Sequence, residues 1–170
     1  GGGFGGKTVV YLEPVAALLS LAALLYYVFV YTIWLKRKTA QNIVIGGAAG
    51  AFPPMVGWAA VTGGVEPASL AMFAIIFAWT PPHFWALSLE MEKDYAEAKV
   101  PMLNVARGSA VARSRILLYS VLLVAISFAP VALGEVALVY AATAAAAGGR
   151  FLWLAFRLWS APESTPPMKL

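Results

Sequence analysis

Apolar residues run along the chain in five long blocks separated by short polar or glycine- and proline-bearing stretches. The first block covers residues 11–35 and stops at Lys36-Arg37-Lys38. The second, residues 43–62, holds Gly46, Gly47, Gly50 and Gly57, with Pro53-Pro54 inside it. The turn Gly63-Gly64-Val65-Glu66-Pro67 leads into the third, residues 68–89, which Pro81-Pro82 is expected to interrupt. A polar stretch, residues 90–115, precedes the fourth block at 116–133, and the fifth covers 136–159 after Gly134-Glu135. About 20 mostly apolar helical residues cross the hydrocarbon core of a bilayer. The pattern therefore predicts five transmembrane helices and an all-α, polytopic bundle in one transmembrane domain. Pro14 sits where a first helical turn tolerates it.

Composition agrees. Of 170 residues, 61% are hydrophobic and 12% charged, and mean hydropathy is +0.78. Soluble domains carry about 25% charged residues, so an ordinary water-soluble domain is excluded. With no cysteine, disulfides, thiolate metal sites and thiol nucleophiles are excluded too. The net charge of +4 reads as basic loops on one membrane face and not as a nucleic-acid surface. With five spans, Lys36, Arg37, Lys38, Lys93, Lys99, Arg107, Arg113, Arg115 and Lys169 fall on one side and Lys7 alone on the other. That asymmetry predicts an external N-terminus, a cytoplasmic loop at 90–115 and a cytoplasmic C-terminus. Arg150, inside the fifth span, must snorkel or face protein. The glycine-rich start, residues 1–10, reads as an external loop, lacking the strand and spacing of a phosphate loop. The proline-rich tail, residues 160–170, reads as disordered.

Candidate chemistry concentrates between Trp79 and Arg107. His83 is the only histidine and Asp94 the only aspartate. On an unbroken helix, positions 83, 90 and 94 fall within about 40° of one face, with Asp94 about 16 Å beyond His83 along the axis. The spacing predicts a cleft with an acidic mouth and an imidazole deeper down. Glu90 and Asp94 together suit Mg²⁺, which is held by one or two carboxylates plus substrate phosphates. The bland alternatives are an interfacial carboxylate paired with Lys93 or Arg107, and a core histidine satisfied within the bundle. Lys36, Arg37, Arg107, Arg113 and Arg115 would form a cationic cluster beside that mouth. It suits an amphiphile with an anionic head and a long apolar tail, such as a prenyl diphosphate, although positive-inside topology explains the same residues. Glycines at helical spacing, Gly46 and Gly50, allow either close helix packing or room for a bulky ligand. There is no convincing internal repeat.

Three blocks of residues carry a family resemblance. They are Tyr31-Thr32-Ile33-Trp34-Leu35-Lys36-Arg37-Lys38-Thr39 with Gln41 to Pro54 and Gly57-Trp58; Trp79-Thr80-Pro81-Pro82-His83-Phe84-Trp85; and Asp94-Tyr95 through Pro101-Met102-Leu103. In this order they closely resemble the protoheme IX farnesyltransferases (haem O synthases) of the UbiA-type intramembrane prenyltransferases, over about residues 20–158. The resemblance implies a nine-span helical bundle, of which this chain matches about spans four to eight. It implies transfer of a farnesyl group from farnesyl diphosphate to a vinyl group of haem B, with Mg²⁺ on the diphosphate and haem as substrate. The resemblance implies Asp94 near the diphosphate metal and Lys36 and Arg37 at the diphosphate, while Glu90 as a second metal ligand rests on its spacing to Asp94 alone. His83 is implied as a haem contact or a structural residue; Tyr95 and Trp79, in the matched blocks, and Arg107, from the cationic cluster, are the other candidate substrate contacts. An inner-membrane location follows, with haem A synthase or oxidase assembly proteins as further partners.

The chain departs from the family pattern at three points. The Asn-led first acidic motif is absent, so this stretch alone is expected to be inactive. Asn104 stands where proline is usual, and Glu90 lies outside the pattern. The alternative reading is a non-catalytic haem- or lipid-binding membrane subunit. A small transporter is a third, weakened by the lack of an inverted repeat.

Overall fold

The computed structural model describes residues 13–161; the glycine-rich start and the tail from residue 162 lie outside the described residues. Helix α1, Pro14–Leu25, begins with Pro14 in its first turn and runs on without a break as a π-helical segment, Tyr26–Leu35. That segment is a run of aromatic and β-branched side chains, which crowd the turns of an α-helix. The wider π turn is closed at Lys36, whose N–H donates to the Tyr31 carbonyl, five residues back. Thr32 Oγ1 spans the same five residues to the Tyr27 carbonyl at 2.9 Å.

Helix α2, Asn42–Thr62, ends at Gly63, whose φ of 76° is the left-handed conformation that closes a helix. Helix α3, Pro67–Glu90, starts with Pro67 in its first turn, and the Glu66 N–H is capped by Ser69 Oγ at 3.2 Å. Neither proline pair breaks its helix: α2 passes through Pro53-Pro54 and α3 through Pro81-Pro82. The interruption expected at Pro81-Pro82 is thus absent. Pro81 and Pro82 are buried against protein, the setting in which a membrane helix tolerates lost backbone donors.

The break comes later, at Met91, where φ −106° and ψ 30° end α3 and start α4, Glu92–Glu97. The polar stretch then forms α5, Leu103–Arg107, and α6 begins at Ser109, earlier than polarity alone indicates. Helix α6, Ser109–Ser127, continues after a bend into the single turn α7, Ala129–Ala132, with Pro130 in it. Helix α8 spans Leu138–Ser160.

The described residues thus contain five helices long and apolar enough to cross a membrane. They stand in an antiparallel row, α1–α2–α3–α6–α8, each packed on the next, and α1 does not touch α8. The densest core lies where α3 and α6 clasp α5 and the end of α8, around Trp85, Met102, Leu103, Ile116 and Leu158. This arrangement collects the Lys36 turn, Glu90, α4, α5 and the start of α6 at one end of the row, here termed the basic end.

Candidate functional site

An apolar cleft of about 610 Å³ opens between the π segment, α2 and α3. Tyr27 and Tyr31 form one wall; Ile76, Trp79, Thr80 and Phe84 form the other; Gly46, Gly47 and Gly50 form the floor. The glycines matter for steric reasons. A Cβ on Gly46 would strike the Tyr31 ring, and one on Gly47 would come within 2.9 Å of Thr80 Cγ2. Close packing, one of the two readings of these glycines, is therefore found at Gly46 and Gly47, whereas a Cβ on Gly50 would meet open space.

His83 lies on the cleft-facing side of α3. Its ring stacks on Trp79 at 4.2 Å, with 17° between planes, and meets Phe84 edge-on at 5.3 Å. Both neighbours line the cleft, so the exposed imidazole sits at its rim. Ile76, Trp79, His83 and Glu90 share one face of α3 within about 60°, a column about 21 Å long that ends at the basic end. The predicted alignment of His83 with Glu90 therefore holds along α3. Its extension to Asp94 requires an unbroken helix, and Met91 ends α3 before α4 begins.

Asp94 is exposed on α4, and Glu90 is exposed as the last residue of α3. Tyr95 is half-buried against the core cluster. Lys36 and Arg37 are exposed in the turn after the π segment. That turn is held by the Asn42 amide, which donates to the Lys36 carbonyl at 3.2 Å from a fully buried position. Arg107 is exposed as the last residue of α5.

One member of the expected cationic cluster is elsewhere. Arg113 is buried, and its guanidinium donates to the carbonyls of Leu158 at 3.2 Å and Ala161 at 2.9 Å. It caps the C-terminal end of α8, where carbonyls lack helical donors, and so serves packing. Among the described residues no group of three or more His, Asp or Glu side chains forms a ready metal cage.

Residue reading alone missed Tyr27, Tyr31 and Thr80 as cleft walls, and Ser88 and Asn104 as a buried bonded pair. The tyrosines fall in an apolar run where nothing distinguishes a cleft wall from a lipid-facing ring. Asn104 did carry a signal, as an amide in an otherwise apolar segment.

A family model described as the UbiA prenyltransferase family matches residues 2–170. A protein named protoheme IX farnesyltransferase from Parvibaculum lavamentivorans is 54% identical over 145 residues, 85% of this chain and 46% of that relative. One of the same name from Alkalilimnicola ehrlichii is 49% identical over 164 residues, 96% of this chain and 54% of the relative. A third, from a Roseiflexus species, is 53% identical over 148 residues, 87% of this chain and 28% of the relative. The chain thus spans between about a quarter and about half the length of these relatives. No solved structure matches.

Proposed function

This chain belongs to the UbiA prenyltransferase family, and on that premise we propose that it takes part in farnesyl transfer from farnesyl diphosphate to a vinyl group of haem B, the reaction that makes haem O. The observation that carries the reading is the form of the cleft: an apolar slot whose α3 wall climbs through Trp79 and His83 to Glu90 and the basic end. Its volume, about 610 Å³, lies within the range of roughly 300–1,000 Å³ typical of small-molecule sites. The name these relatives carry, protoheme IX farnesyltransferase, points to the two substrates.

In this reading the farnesyl chain lies among Tyr27, Tyr31, Trp79 and Phe84, and its diphosphate reaches Lys36 and Arg37, with Arg107 nearby on α5. The vinyl electron pair attacks the allylic carbon while the carbon–oxygen bond to diphosphate breaks, and diphosphate leaves with that electron pair. The cation left on the vinyl-derived carbon is then captured by water, which gives up a proton and leaves the hydroxyl of the haem O side chain. Lys36 and Arg37 stabilise the negative charge that develops on the leaving group. The aromatic walls keep water from the allylic cation. His83, exposed at the rim and backed by Trp79, contacts the haem, and Tyr95 and Trp79 position the two substrates against each other.

Asp94 and Glu90 each place an exposed carboxylate at the basic end, and among the described residues no three acidic or imidazole groups gather into a ready metal cage. That donor set suits Mg²⁺ shared with substrate phosphates, with Asp94 as the principal ligand. The chemistry such an ion supplies when bound is charge neutralisation on the diphosphate oxygens. The basic end faces the cytoplasm by the distribution of Lys and Arg, in a bacterial inner membrane.

The test is haem O formation from haem B and farnesyl diphosphate in membranes containing the native gene product. Asp94→Asn should lower turnover with membrane expression unchanged. Wild-type turnover in that variant would remove Asp94 from the site. Haem binding without any prenyl transfer by the native product would instead favour a non-catalytic haem-binding subunit.

A further inference from the structure

The cleft ends part-way along the row. On α2 its lining runs from Ile43 to Gly50, and on α3 from Phe84 to Ile76, so it is about 12 Å long at the helical rise per residue. Ile43 and Phe84 lie toward the basic end. Gly47 faces Thr80, and antiparallel counting from that contact sets Gly50 level with Ile76 and Phe77. Beyond this level the floor rises. The next residues on the same face of α2 are Pro53 and Pro54, whose rings stand where glycine left bare backbone. One turn beyond Ile76, Phe73 meets Phe52 of α2 edge-on at 5.4 Å, which draws α3 and α2 together.

Gly50 is the glycine of the floor that can be filled. A Cβ there meets no protein atom within 4 Å, so a larger side chain enters the cleft and takes room from a ligand. At Gly46 and Gly47 the same change strikes Tyr31 or Thr80 and moves a wall instead. Ile76, half-buried at the level of Gly50, is the last α3 residue of the lining.

Prenyl diphosphates share one head and differ in how many isoprene units follow it. With the head at Lys36 and Arg37, as in the prenyl-transfer reading on which this inference rests, only the end of the tail meets Gly50 and Ile76. We propose that this pair sets the prenyl chain length the cleft accepts. Bare backbone at Gly50 admits the terminal unit of a farnesyl chain, and Ile76 stops a longer one. One methylene in an apolar pocket is worth roughly 10–200-fold in selectivity, and an isoprene unit is several carbons larger.

In the experiment, membranes containing the native gene product receive haem B with geranyl, farnesyl and geranylgeranyl diphosphates at equal concentration, and the haem products are separated by mass. The same three diphosphates are also competed against tritiated farnesyl diphosphate for binding. Gly50→Leu should raise the geranyl-to-farnesyl ratio about ten-fold or more, and Gly50→Ala should raise it by a smaller factor. Ile76→Ala should raise the geranylgeranyl-to-farnesyl ratio about ten-fold. Gly57→Leu, on the same face of α2 but outside the cleft, should leave both ratios as in wild type. Each ratio is read within one variant, so partial unfolding lowers every product without moving it. An unchanged ratio in Gly50→Leu or in Ile76→Ala, or an equal shift in Gly57→Leu, overturns the proposal. Absence of every haem product with the wild-type protein would overturn the prenyl-transfer reading alone, and the binding ratios would then decide chain length.

Discussion

Asn104 Nδ2 donates to the Ser88 carbonyl at 2.9 Å, and the Ser88 hydroxyl lies 2.8 Å from Asn104 Oδ1, with both side chains fully buried. Ser88 is in the last turn of α3, where carbonyls lack helical donors. Asn104 therefore caps α3 from α5 and fixes the near end of the segment that carries Asp94 and Tyr95. The Ser88 hydroxyl has a second acceptor, the Trp85 carbonyl at 2.9 Å. Asn104→Ala and Ser88→Ala should each destabilise by about 1–3 kcal/mol, the cost of stranding a buried polar group. The double variant should cost less than the sum, because the two act as one unit. Denaturant titration in micelles checks both statements.

Gly46 and Gly57 both lie on α2 but predict opposite results. Gly46→Ala drives a methyl into the Tyr31 ring and so moves a wall of the cleft. It should cost about 1–3 kcal/mol, as overpacking does, and should raise the KM for prenyl diphosphate. At Gly57 a Cβ meets open space, so Gly57→Ala should stay within about 0.5 kcal/mol of wild type with KM unchanged. Thermal unfolding and steady-state kinetics on the pair separate crowding at the cleft from a general effect of removing helical glycine.

Arg113→Met keeps most of the side-chain volume and removes the donors to Leu158 and Ala161. Hydrogen bonds to charged groups contribute about 1.5–3 kcal/mol, and a loss of that size is expected. It should fall mainly on α8, seen as faster proteolysis near Ser160. Arg113→Lys should recover only part, since an ammonium lacks the planar fork that reaches two carbonyls. Equal proteolysis in wild type and Arg113→Met would remove the cap from the account of α8.

His83 is the imidazole available at the cleft rim. Haem B titrated into the purified protein should give a Soret band that shifts on binding, and the shift should weaken in His83→Ala. The same variant should alter Trp79 fluorescence, because the stacked ring is gone. A changed fluorescence with an unchanged Soret shift would leave His83 a packing role only.

The five spans were legible in the chain because crossing a bilayer is a local and additive requirement: a run of apolar residues long enough, with no tertiary information needed. The same locality made His83 and Glu90 readable as one face of α3, since helical period alone sets it. Glycine against tyrosine at Gly46–Tyr31 was not readable, because their contact joins α2 to the π segment. Nor was the break at Met91, which separates Asp94 from the column below it. The chain around it holds no proline or glycine, and the segment turns where α5 must reach the core through Met102 and Leu103. Arg113 and Arg115 look alike in sequence, yet one is buried under the end of α8 and the other is exposed. Hydrophobic length and period thus determined which segments span and which residues share a helix face. Tertiary packing decided which polar side chains turn inward, because that depends on donors and acceptors brought close by other helices.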